Sequence, residues 1–180
     1  MRTLKVKTGG GGINFTPGWH TLTVNKAQYG DWNGTKYIDV WFNDYPESLN
    51  LRVYSKQGKD GEEFAIGRLF RFANAGITEV AKSDNGEAIV KLNDEATELV
   101  GKEINAFFYK EGDYYRVLAN TAPVVFENDL EEFTEADVAY WKGAAEKYYN
   151  EYIVDSSSNG TGVSFVTSDS NTSTTADIPF

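Results

Sequence analysis

Residues 34–42 read Gly34-Thr35-Lys36-Tyr37-Ile38-Asp39-Val40-Trp41-Phe42, and residues 49–54 read Leu49-Asn50-Leu51-Arg52-Val53-Tyr54. Both alternate with period two, the mark of strands with one buried face. In the first, Ile38, Val40 and Phe42 share one side, with Tyr37, Asp39 and Trp41 on the other. In the second, Leu49, Leu51 and Val53 point in, while Asn50, Arg52 and Tyr54 point out, followed by Lys56. Upstream, residues 20–27 put Leu22 and Val24 on one side, and Asp31-Trp32-Asn33-Gly34 supplies a hairpin turn, since Asn-Gly tolerates the positive φ of a tight reversal. The pattern therefore predicts three successive antiparallel strands whose outward set is aromatic and basic.

Further along, residues 62–75 carry Phe64, Leu69 and Phe72 near helical spacing, with Gly76 as a stop. Residues 88–92 read as a short strand and residues 94–100 as a turn or helical cap. Residues 104–109 and 114–118 read as a hairpin around Glu111-Gly112-Asp113. Thr134-Glu135-Ala136-Asp137 resembles a capping box and opens a helix to about Tyr152, with a stripe of Val138, Trp141, Ala145, Tyr148 and Tyr152. Three strands, one helix, then two or three strands is the element order of a small OB-type barrel. The expected organisation is a mainly β chain. It has a flexible leader over residues 1–17, an OB-fold-like barrel with one inserted helix over 18–126, a carboxy-terminal acidic and aromatic helix over 127–154, and a disordered, acidic tail over 155–180.

The 180 residues hold 17 Lys and Arg against 27 Asp and Glu, a formal net charge of -10, with 41% hydrophobic and 14% aromatic residues. That apolar content excludes disorder throughout, and the sign argues against a generic polyanion binder. Position changes the second conclusion. Residues 1–126 carry 15 basic and 16 acidic side chains, and residues 127–180 carry 2 and 11. A near-neutral body presents a basic face when its signs are segregated, and an acidic end suits an interaction tail. Residues 155–180 contain no Lys or Arg and are rich in Ser, Thr, Asn, Asp and Gly, a composition that buries too little apolar surface to offset ordering entropy.

The absence of Cys removes thiol chemistry, disulfide frameworks and cysteine-type zinc sites, and the single His20 cannot form a histidine metal cluster. Asp39, Asp44 and Glu47 show no pairing that would hold a nuclease metal. Gly9 to Gly12 lack the Gly-Lys-Ser/Thr of a phosphate loop. The expected protein is not an enzyme and uses no cofactor or metal. No secretory or membrane-spanning stretch is evident, so a cytoplasmic location, the host's if the chain is phage-encoded, is expected.

Tyr37, Trp41, Arg52, Tyr54 and Lys56 form the strongest chemical constellation. Lys36 and Trp32 lie at its turn, and Phe107, Tyr109, Tyr114 and Arg116 add to it from the later hairpin. Flat rings for bases and cations for phosphates are what sequence-independent capture of single strands requires. The same outward aromatics also suit packing against the carboxy-terminal helix or a protein or glycan partner. The stripe of that helix leaves room for a homodimer contact.

The last four residues, Asp177-Ile178-Pro179-Phe180, place a large ring and a free carboxylate on one terminal residue, with Pro179 limiting the entropy lost on docking. This ending resembles that of bacterial single-stranded DNA-binding proteins, which implies that Asp177, Ile178, Pro179 and Phe180 dock replication, recombination and repair proteins. The body resembles bacteriophage single-stranded DNA-binding proteins. The resemblance runs through Gly18-Trp19-His20-Thr21-Leu22-Thr23-Val24, Gly34-Thr35-Lys36-Tyr37-Ile38-Asp39-Val40, Gly67-Arg68-Leu69-Phe70 and Val100-Gly101-Lys102-Glu103. It implies an OB barrel that coats single-stranded DNA and carries an acidic or tip-bearing tail. The acidity after Phe126, beside a near-neutral body, further suggests a tail that folds back over the basic face as a mimic of a phosphate strand when DNA is absent.

Overall fold

A computed structural model describes residues 15–155. The leader's first 14 residues and the docking tip Asp177–Phe180 lie outside the described residues. The three alternating segments are strands β1 (Gly18–Trp32), β2 (Thr35–Phe42) and β3 (Leu51–Tyr54), and Asn33 and Gly34 take the positive φ values, 52° and 81°, that the β1–β2 turn requires. Helix α1 (Ala65–Phe72) follows, then a hairpin of β4 (Ile77–Lys82) and β5 (Ala88–Leu92), and a 3₁₀ turn at Ala96–Leu99. Strands β6 (Glu103–Glu111) and β7 (Tyr114–Val117) come next, with a small ribbon of β8 (Phe126–Glu127) and β9 (Glu132–Phe133). Helix α2 (Glu135–Tyr148) runs into a π-helical turn, Tyr149–Val154.

The chain is mainly β. Five strands form one antiparallel sheet in the order β3-β2-β1-β6-β7, and its two edge strands, β3 and β7, approach each other. β1 serves two partners. Residues 18–23 pair with β6 and residues 24–32 pair with β2, with a bulge between Val24 and Lys26 at the start of the β2-paired stretch.

Alternation puts Leu22, Val24, Ile38, Val40, Phe42, Leu51 and Val53 into one core with Ile104, Ala106 and Phe108. Ile66, Leu69, Phe70 and Phe72 of α1 close it. Fully burying an aliphatic or Phe side chain contributes roughly 1.5–3 kcal/mol.

α1 is shorter than its sequence pattern at both ends. The Glu63 carboxylate accepts from the backbone N–H groups of Ala65, Ile66 and Gly67, so the residues before it cap the helix from outside. At the other end, Asn74 and Gly76 turn to φ 51° and 66°, and Ala75 N–H bonds back to Phe70 O. Strand β4 is absent from the sequence expectation. Its hairpin with β5 reverses at Asp84-Asn85-Gly86, with Gly86 at φ 84°. The capping box is present: Thr134 Oγ1 accepts from Asp137 N–H, and Asp137 Oδ2 accepts from Thr134 N–H at 2.8 Å.

Candidate nucleic-acid interface

The β2–β3 register pairs Tyr37 with Tyr54 and Asp39 with Arg52, and the β1–β2 register pairs Gly30 with Tyr37, Gln28 with Asp39 and Lys26 with Trp41. Cross-strand partners share a face, so Lys26, Gly30, Trp32, Tyr37, Trp41, Arg52 and Tyr54 lie on the outer side of the sheet, opposite the buried Ile38, Val40 and Phe42. Trp32, 61% exposed, stands at the hairpin tip. Lys56, exposed, lies two residues past Tyr54, just beyond the end of β3.

Within this face the side chains are tightly organised. Arg52 Nε and Nη2 donate to Asp39 Oδ1 and Oδ2, each at 2.7 Å, and Asn50 Nδ2 donates to Oδ1 at 3.0 Å. The bond to Asp39 raises the guanidinium's pKa above its ordinary value. The Arg52 guanidinium lies 3.9 Å from the Tyr37 ring centroid, and Tyr37 meets Tyr54 edge-on at 5.6 Å. Lys26 Nζ sits 4.7 Å over the Trp41 ring, and Trp41 Nε1 donates to Glu47 O at 3.1 Å. Asp39 is thus engaged in an ion pair.

Other expected residues lie elsewhere. Lys36 pairs with Asp31 on the opposite side of the hairpin and faces a cleft of about 910 Å³ between the β1–β2 arm, α1, β5 and Trp141. Three cations of that cleft, Lys36, Arg68 and Arg71, are matched by Asp31, Glu63 and Asp94. Arg71 is further paired with Glu131 at 2.6 Å. With three acids against three cations, the cleft offers no surplus of positive charge to a polyanion. Burial, then Asp94 and Glu63, push the Tyr29 hydroxyl there up to about 12.

Phe107 and Tyr109 point outward from β6, but the Tyr149 ring lies 5.1 and 5.3 Å from them. Trp19 Nε1 donates to Glu146 on α2 at 2.7 Å. The β1–β6 side of the sheet is therefore covered by the carboxy-terminal helix, the packing alternative raised by the sequence. Arg116 pairs with Glu111 at 2.8 Å and, with the 75% exposed Tyr114, lines a smaller cleft of about 350 Å³ beside Ser48 and Leu49. His20 stacks on Phe108 with centroids 4.4 Å apart.

Sequence reasoning missed the place of Lys26 and Gly30 on this face and the contacts of Asp39 with Asn50 and Arg52. The signal for Lys26 was present: inward apolar positions run 22, 24 and then 27, and this three-residue step is the bulge that turns Lys26 outward.

Among the described residues, no three His, Cys, Asp or Glu side chains are grouped to hold a metal ion, and no helix is long and apolar enough to cross a membrane. No protein-family model, curated protein or solved structure matches the chain.

Proposed function

We propose that this protein binds single-stranded DNA without sequence preference. It would coat strands in DNA replication, recombination or repair, in a phage setting by the resemblance of its body. Partners would be recruited through Asp177–Phe180. One observation carries the reading: the β1–β2–β3 outer surface gathers Trp32, Trp41, Tyr54 and Arg52 with Lys26 and Lys56, while α2 covers the β1–β6 side. Stacking on such groups contributes about 1–3 kcal/mol per base and is indifferent to base identity.

The strand order supports the same reading. Strands β1, β2 and β3, then α1, then β6 returning to β1 and β7 approaching β3, fit the course expected of a five-stranded OB barrel with the β4–β5 hairpin as an insertion, which supports the barrel reading. That fold binds oligonucleotides on the face carrying its second and third strands.

Titration with a 20-nucleotide oligo-dT, followed by tryptophan fluorescence, tests the proposal. Saturable quenching is expected, because Trp32 and Trp41 both lie on the face. Absence of quenching together with no retention of the oligonucleotide in a gel shift would sink it, and would leave the outward aromatics to a protein or glycan partner.

A further inference from the structure

Tyr37 sits at the centre of the open face, yet its ring is already occupied. The Arg52 guanidinium lies against it at 3.9 Å. Its phenol end fills the space above Gly30, where a Cβ would stand 2.3 Å from Cζ and 2.4 Å from the hydroxyl oxygen. Tyr54 closes the side toward β3.

Arg52, in contrast, is held but not covered. Its side chain is 41% exposed, whereas that of Asp39 beneath it is 10% exposed. A guanidinium has five N–H donors in one plane. Here one edge, Nε and Nη2, is spent on both Asp39 oxygens. With Tyr37 against the guanidinium and one edge on Asp39, the 41% of the side chain that stays exposed is the part a base can reach.

We propose that the nucleobase-stacking plate at this position is the Arg52 guanidinium. Tyr37, Asp39 and Asn50 are its positioning residues, and Gly30 is the position that admits the Tyr37 ring beneath it. The proposal rests on the reading of this face as a single-strand interface. Guanidinium planes stack on nucleobases as aromatic rings do. Because Asp39 already neutralises its charge, Arg52 acts here through its flat surface, and its contribution is insensitive to salt.

Arg52→Lys keeps the charge and removes the plane. In oligo-dT titrations over a series of NaCl concentrations, its affinity is expected to fall at least fivefold, the loss of one stack. The slope of log K against log salt should stay at the wild-type value. A phosphate contact would give the reverse: Arg52→Lys within twofold of wild type, and Arg52→Gln shallower in slope by about 0.7. That result would overturn the assignment.

Gly30→Ala is the second variant, since it leaves the Arg52–Asp39 pair intact. Gly30 does not occupy the left-handed region, so alanine fits its backbone, and the new Cβ meets the movable end of Tyr37. Displacing that ring from under Arg52 should weaken binding more than twofold at unchanged slope and unchanged circular dichroism. Wild-type binding that Trp41→Ala weakens, but that neither Arg52→Lys nor Gly30→Ala alters, refutes the plate while leaving the interface reading standing. No binding by the wild type refutes both.

Discussion

How steeply salt weakens binding follows from a count of charges on the outer face. Lys26, Arg52 and Lys56 are its cations. Arg52 is neutralised by Asp39 at 2.7 Å, and neither lysine forms an ion pair among the described residues. Two phosphates neutralised on a single strand give a slope of log K against log salt of about −1.4. Raising NaCl from about 50 to about 200 mM should then weaken oligo-dT binding only about sevenfold, against losses of several hundredfold or more for proteins making six to ten phosphate contacts. The assay is a tryptophan-quenching isotherm at each of several salt concentrations, on wild type and on Lys56→Gln, whose slope should halve to about −0.7. A wild-type slope steeper than about −3 would refute the reasoning, because it requires cations that the face does not carry. The near-neutral cleft holding Lys36, Arg68 and Arg71 would then have to be part of the path.

Trp41→Ala should weaken oligo-dT binding about 5- to 150-fold, the worth of one stacked base; affinity equal to wild type would remove Trp41 from the site. Thr134→Ala should lower the melting temperature by about 2–4 °C near pH 7, since an N-cap contributes ~1 kcal/mol. Backbone and hydroxyl bonds from Thr134 hold the Asp137 carboxyl below its ordinary 3.8. A depressed acid stabilises the fold above its unfolded pKa and loses that contribution as pH falls through the folded one. The gap between wild type and Thr134→Ala should therefore narrow as pH falls below 3.8, and melts showing a constant gap would contradict the cap's role. Deleting residues 156–180 removes Asp169, Asp177 and the docking tip, and should tighten oligo-dT binding by a few-fold at most at low salt. Unchanged or weaker binding refutes the fold-back of the acidic end.

The three-strand unit was legible because its two faces differ so sharply. Ile38, Val40 and Phe42 are 0–1% exposed while Tyr37 and Trp41 alternate with them on the outside, and a period of two carries that contrast directly. The capping box at Thr134 was legible for a similar reason, since its signature is local. Strand β4 was not. Ile77, Val80 and the flanking polar residues alternate weakly, and the strand exists through pairing with β5 across Asn85-Gly86.

The site was legible as a composition and illegible as an arrangement. Which cation lies on which ring depends on the Val24–Lys26 bulge, which shows in the sequence only as the step from 24 to 27, and on the absence of a side chain at Gly30, which alternation does not encode. Phe107 and Tyr109 were outward as expected, but only tertiary packing decides that Tyr149 covers them. The acidity also sits differently from its reading as a tail. Of the 11 acids after Phe126, the eight from Glu127 to Glu151 belong to the region of β8, β9, α2 and the π turn, and three remain at Asp155, Asp169 and Asp177.

The change of partner along β1 gives that strand two histories during folding. Residues 24–32 zip against β2 across a two-residue turn, a local event of about 1–10 μs for a hairpin. Residues 18–23 must wait for β6, because joining Gly18 to Phe108 closes a loop of roughly ninety residues at an entropic cost of about 4 kcal/mol. Val24, bonded to both Lys102 and Gly101, is the seam between an early ribbon and a late closure. The face proposed to meet DNA is built in part on the β1–β2 hairpin, whose closure is local.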